Sequence, residues 1–125
     1  MPVTIKPNLQ LLYVTDIERS RAFYEKIFNA KPVFVSPRYI AFSASSNDEA
    51  LFAIWTGAET PDQSAPRYSE VGILLPTNED VDQLFATWKK EMEIKIIREP
   101  YNEVFGRTFV VSDPDGHLIR VSPTD

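Results

Sequence analysis

FGRTFVVSDPDGHLIRV, residues 105–121, is a β-hairpin spelled out in sequence. Asp113, Pro114, Asp115 and Gly116 make the turn: proline sets φ at its second position, aspartate caps, and glycine tolerates the exit conformation. Strand patterns flank it at Thr108–Ser112 and Leu118–Ser122, so the turn dictates which residues share a face. Ile119 and Val121 form one apolar set, and Leu118, Arg120 and Ser122 form the other. A cation among apolar strand residues makes Arg120 the position on which a functional reading turns.

Outward from this hairpin, the chain repeats one order of elements. Leu9–Val14 reads as a strand, Thr15 and Asp16 as helix caps, and Ile17, Tyr24, Ile27 and Phe28 as the apolar stripe of a helix. Three β-type runs follow at Val33–Ser36, Tyr39–Ala44 and Leu51–Thr56. In the second half, Val71–Leu75 is a strand, and Pro76, Thr77 and Asn78 a break and cap. Val81, Leu84, Phe85 and Trp88 then fall at helical spacing. Runs at Ile94–Arg98, Thr108–Ser112 and Leu118–Ser122 complete it. The predicted fold is therefore α+β, with paired βαβββ modules forming a curled mixed sheet, helices on the outer face and a ligand cleft on the inner one. Residues 1–125 are expected to form one domain, with modules at about 8–57 and 69–123 and a linker at about 58–68, because neither half could bury its sheet alone.

Alternation assigns the faces. Leu12 and Val14 are expected under the first helix, with Leu9, Leu11 and Tyr13 opposite. Val71, Ile73 and Leu75 are expected under the second helix, with Glu70, Gly72 and Leu74 opposite. The faces away from the helices thus collect a carboxylate, a cation, a glycine and apolar groups, a mixture suited to a ligand cleft.

Composition excludes several functions. The net charge of -5 across 125 residues, without a basic run, argues against nucleic-acid binding, which depends on clustered cations. Absence of cysteine removes disulfides, thiolate catalysis and cysteine-based zinc sites. Neither a signal peptide nor a membrane span is expected, which makes the anticipated location cytoplasmic. His117 is the one histidine and is expected to be a solvent-exposed turn residue. It has no companion nucleophile or ligand, so no catalytic residue is assigned. Asp113 and Asp115 are read as turn residues serving capping and solvation. Glu79, Asp80 and Asp82 load the start of a helix, where its dipole favours negative charge. No glycine-rich phosphate loop is present.

Two Trp, five Tyr and eight Phe are many for so short a chain. Trp88 continues the helical stripe and is assigned to the core. Trp55 ends its strand near a rim and is the preferred stacking platform, with packing under a loop or at a dimer contact as its alternative. Phe42, Phe52 and Tyr13 are its expected companions in the site. Arg38, Arg107 and Arg120 are the cations that alternation or loop position could bring to a cleft, where arginine suits a planar carboxylate or an aromatic face. Glu70 and Arg120 either contact a ligand or pair with each other.

At these residues the chain resembles the vicinal-oxygen-chelate superfamily, which contains glyoxalase I, extradiol dioxygenases and bleomycin-type resistance proteins. VTDIERSRAFYEKIF (residues 14–28) and GRTFVVSDPDGHLIRV (106–121) are similar to its two signatures. PNLQLLYV (7–14), PVFVSPRYIAF (32–42), ALFAIWTG (50–57), LLPTNEDVDQLF (74–85) and EPYNEVFGRTF (99–109) resemble the phenazine-antibiotic resistance branch. That resemblance implies a homodimer whose clefts bind a planar phenazine, such as a griseoluteate, without metal, cofactor or turnover. The family's enzymes place metal ligands where this chain has Leu9, the Leu51–Ala53 run, Glu70 and Arg120. Only Glu70 offers a donor, and Arg120 would repel the ion. The competing expectation is a metal-dependent lyase or dioxygenase like those enzymes.

Overall fold

The computed structural model describes residues 3–124 and divides into two compact units at Pro61/Asp62. The first contains β1 (Leu9–Tyr13), α1 (Ile17–Phe28), β2 (Phe34–Val35), β3 (Tyr39–Ser43) and β4 (Leu51–Trp55). The second contains β5 (Glu70–Leu75), α2 (Asn78–Glu91), β6 (Lys95–Glu103), β7 (Gly106–Ser112) and β8 (Leu118–Pro123). Each unit is βαβββ, as the repeated order of elements predicts.

Capping sets the helix limits. The Asp16 carboxylate accepts from the Glu18 and Arg19 amides, both at 3.1 Å, satisfying donors that the first helical turn leaves open. α1 stops at Asn29, whose φ of 49° is left-handed, a conformation asparagine tolerates. In α2 the Thr77 hydroxyl accepts from the Asp80 amide at 3.1 Å. Glu79 and Asp80 occupy its first turn, and Lys89 and Lys90 its last, each charge aligned favourably with the helix dipole.

Both units wire an open, mixed, four-stranded sheet in the same way. The orders are β1-β4-β3-β2 and β5-β8-β7-β6. The first pair in each is parallel, β1 with β4 and β5 with β8, and the others are antiparallel. Each helix covers one face of its own sheet. In the first unit Tyr24 meets Phe52 at a 4.8 Å centroid distance, and Phe28 meets Phe42 at 5.5 Å and Phe52 at 5.2 Å. In the second, Phe85 and Trp88 pack edge-on against Phe109 at 5.1 and 5.7 Å. Fully burying one such side chain contributes roughly 1.5–3 kcal/mol, so these clusters hold the helices to the sheets.

Three local expectations need revision. β6 continues past Arg98 to Glu103 although Pro100 lies inside it. The register shifts between Ile96 and Arg98 and again between Arg98 and Tyr101, so Glu99 and Pro100 fall between the bonded pairs Arg98↔Val110 and Tyr101↔Thr108. A bulge of this kind tolerates a residue with no amide hydrogen. Asp113 and Asp115 are only 4% and 0% exposed rather than solvated. The Asp113 carboxylate accepts from the Asp115 and His117 amides at 2.9 and 2.8 Å. His117 is half-buried, not exposed.

The reason lies in the linker. Gln63 donates to the Pro114 carbonyl at 3.0 Å. Arg67 donates to the Asp115 carbonyl at 2.8 Å and to the Asp62 carbonyl at 2.9 Å. Residues 62–67 are thereby strapped over the turn and screen it from water.

Candidate functional site

Strand register sorts each sheet into a helix-covered face and an open one. In the first unit, Tyr13 pairs with Trp55 and Trp55 with Tyr39, so three aromatic side chains stand in one row on the open face. Tyr13 and Trp55 have centroids 5.7 Å apart with planes tilted by 49°. Phe34, across from Ala41 in the neighbouring row, makes an edge contact with Tyr39 at 6.0 Å. Small or aliphatic residues lie beside it: Ala41 pairs with Ala53, and Ala53 with Leu11. Ala41 and Ala53 are themselves 1% and 0% exposed, so the accessible surface on which a flat ring could stack is that of the Tyr13, Trp55 and Tyr39 rings.

Arg38 borders this row. Its guanidinium donates to the Gly57 carbonyl at 3.0 Å and, more weakly, to the Thr56 carbonyl at 3.4 Å. Gly57 has a φ of +93°, and a Cβ there would collide with the Arg38 guanidinium. Glycine is thus required both by its backbone and by the arginine lying over it.

In the second unit the open face is polar. Arg120 donates from Nε to Glu70 Oε1 at 2.7 Å and from Nη2 to Oε2 at 3.1 Å. Its Nη1 donates to the Tyr101 hydroxyl at 3.1 Å and to Thr108 Oγ1 at 3.3 Å. Thr108 passes its own proton to the Val121 carbonyl at 2.9 Å and lies 2.9 Å from the Ser122 hydroxyl. Hydrogen bonding to Glu70, and next to Tyr101, pushes the Arg120 pKa above its ordinary value, so this group stays charged. The Arg98 guanidinium lies over the Tyr101 ring, 3.8 Å from its centroid. Gly72 stands opposite Arg120 in register, with no atom within 4 Å of where a Cβ would be.

The structure separates the sequence-designated residues into three groups. Tyr13, Trp55, Glu70 and Arg120 lie on open faces, with Arg38 at a rim. Phe42 and Phe52, expected in the cleft, are 1% and 5% exposed and form the core beneath α1; their place is corrected to the helix-covered face. Arg107 is corrected likewise. It alternates with Thr108 and ion-pairs with Asp82 of α2 at 3.0 Å, also donating to Asn102 at 3.3 Å, which holds it on the helix side. Tyr39, Phe34, Arg98 and Tyr101 belong to the open faces and were not singled out for the site. Tyr39 was recoverable from alternation, whereas Arg98 and Tyr101 depend on the bulges in β6.

A resident metal does not fit these residues. Glu70 already gives both oxygens to Arg120, and Leu9 and the Leu51–Ala53 run provide no donor side chain. Among the described residues no three His, Asp or Glu side chains converge. Neither does any helix of the described residues have the length and apolarity to cross a membrane.

Comparison with known proteins accords with this architecture. A phenazine antibiotic resistance protein, EhpR from Enterobacter agglomerans, is 60% identical over 124 residues, covering 98% of this chain and 95% of that protein. Protein ATC0852 from Agrobacterium tumefaciens superposes with a TM-score of 0.74 at 25% identity, covering 94% of this chain and 96% of that one. The fosfomycin resistance protein FosX from Listeria monocytogenes, solved with Mn(II), shares the fold with a TM-score of 0.74 at 20% identity, covering 96% and 90%. The family model of the Glyoxalase/Bleomycin resistance protein/Dioxygenase superfamily matches residues 6–121, and with the duplicated βαβββ wiring this establishes that the chain belongs to that superfamily.

Proposed function

We propose that the protein confers antibiotic resistance by binding and sequestering a planar aromatic drug of the phenazine type, without turning it over. The observation that carries this reading is the row Tyr13–Trp55–Tyr39 on the open face of the first sheet. Aromatic pairs contribute about 0.5–1.5 kcal/mol beyond their buried area, so a tricyclic ring stacked in this row would gain from several contacts at once. The relative at 60% identity, named for phenazine resistance, supports the choice of ligand class. Engagement of Glu70 by Arg120 supports binding without metal chemistry. A homodimer acting in the cytoplasm belongs to the same reading.

Fluorescence titration with phenazine-1-carboxylate tests it. Trp88 is buried in the second core and only 4% exposed, so saturable quenching should come from Trp55 and vanish in Trp55→Phe. Chromatography of the recovered ligand should show it unchanged. Absence of saturable quenching, or conversion of the ligand, would overturn the reading. Light scattering with and without ligand reports the dimer.

A further inference from the structure

Trp55 is the last residue of β4, so the chain that leaves it decides how firmly its ring is held. Two segments of the same unit grip that chain. On one side the Val14 amide donates to the Trp55 carbonyl at 2.9 Å, and the Thr56 hydroxyl donates to the Thr15 carbonyl at 3.1 Å. On the other side the Thr56 amide donates to the Arg38 carbonyl at 2.9 Å. The Arg38 guanidinium then reaches over the same chain, donating from Nη2 to the Gly57 carbonyl at 3.0 Å and from Nε to the Thr56 carbonyl at 3.4 Å. Arg38 is presented by the turn that joins β2 to β3. The Ser36 amide and hydroxyl both donate to the Tyr39 carbonyl, at 2.9 and 2.8 Å, and Pro37 fixes φ within the turn. Gly57 leaves the space that the guanidinium fills, since the nearest atom to a Cβ there would be Arg38 Nη2.

We propose that Arg38 is a positioning residue for the Trp55 ring and makes no ligand contact of its own. The Nε–Nη2 edge of a guanidinium is a fork suited to a carboxylate, and here that fork is occupied by two successive carbonyls of its own unit. Arg38 is therefore a clasp between the β2–β3 turn and the end of β4, and it fixes the backbone from which the Trp55 side chain projects. Tyr39, held by the same turn, is the register partner of Trp55, so one clasp joins the backbones beneath two rings of the row. A platform ordered before binding loses less freedom when a flat ring stacks on it. Because the clasp is solvent-exposed, its loss should loosen the rim locally and leave the fold intact. This inference rests on the proposed stacking role of Trp55.

The test labels both tryptophans with fluorotryptophan and follows them by fluorine NMR in the ligand-free protein. Arg38→Gln and Arg38→Lys should each shift or broaden the Trp55 signal and leave the Trp88 signal unchanged, with little change in melting temperature. Lysine keeps the charge, but its point donor cannot span two carbonyls as the planar fork does. Calorimetry then compares phenazine, which is neutral, with phenazine-1-carboxylate. Both variants should weaken the two compounds by the same factor, about threefold to tenfold, as expected for one side chain that must be ordered on binding. Gly57→Ala, which drives the guanidinium from its seat, should reproduce both effects. An unchanged Trp55 signal or unchanged affinity in Arg38→Gln, or a loss confined to the carboxylate that lysine restores, would overturn this inference alone. Failure of both compounds to bind the native protein would overturn the proposed function and this inference with it.

Discussion

Arg120 on β8 clasps both oxygens of Glu70 on the neighbouring β5, at 2.7 and 3.1 Å, although register places Arg120 opposite Gly72 and Glu70 opposite Leu118. The arginine side chain therefore runs diagonally back across the parallel pair, and the two charges cancel where the superfamily's enzymes would need a donor. Glu70→Gln removes the countercharge. Both side chains remain about a third exposed, so the stability loss should be about 1 kcal/mol or less, measured by urea denaturation.

Metal removal is expected to have no effect on binding. Dialysis against a chelator should leave the affinity for phenazine-1-carboxylate unchanged, and elemental analysis of protein purified without chelator should find no stoichiometric divalent metal. A bound equivalent of metal whose loss abolishes binding would favour the lyase or dioxygenase alternative.

The two tryptophans should separate cleanly by mutation. Trp55→Ala removes a half-buried ring from the open face and should abolish phenazine binding with a small change in melting temperature. Trp88→Ala empties a core position against Phe109 and should cost about 3–5 kcal/mol. Phe52→Ala belongs with the second case: its ring packs on Tyr24 and Phe28, so stability should fall by a similar amount.

Gly72 offers a substitution expected to stabilise its strand. It lies in a strand with open space at its Cβ position, and glycine there is destabilising by about 0.5–1 kcal/mol relative to alanine. Gly72→Ala should raise stability by about that amount. Thermal melts report the effect.

The linker strap carries a pH signature. Ser64 donates its hydroxyl and amide to one Asp62 oxygen at 2.7 and 2.9 Å, and the hydroxyl, followed by the amide, holds the Asp62 carboxyl below its ordinary value. A carboxyl depressed in the folded state contributes stability above its unfolded value, and that contribution is lost as pH falls through the folded value. Ser64→Ala should move the Asp62 titration to higher pH, as read by NMR. Arg67→Ala should speed proteolysis within residues 62–67 by releasing the strap from the Asp115 carbonyl.

What the sequence determined is local or periodic. Caps at Asp16 and Thr77, the helical stripes, the DPDG turn and the repeated βαβββ order are written in neighbouring residues, and the helix-facing sets Val71/Ile73 and Ile119/Val121 follow from alternation. That Leu9 and Arg120 bear no metal-donor side chain is likewise a matter of residue type alone. Tertiary structure decided which face several strands present and where their long side chains go. Ile40, Ala41 and Phe42 are all apolar, as are Phe52, Ala53 and Ile54, so alternation alone cannot say whether Phe42 and Phe52 or Ala41 and Ala53 meet the helix. α1 settles it by packing Tyr24 and Phe28 against the larger rings. The two register shifts in β6 bring Tyr101 to Arg120 and Arg98 over Tyr101. A bulge moves every later side chain relative to its neighbours, and no local pattern around Pro100 encodes where the partner strand will resume.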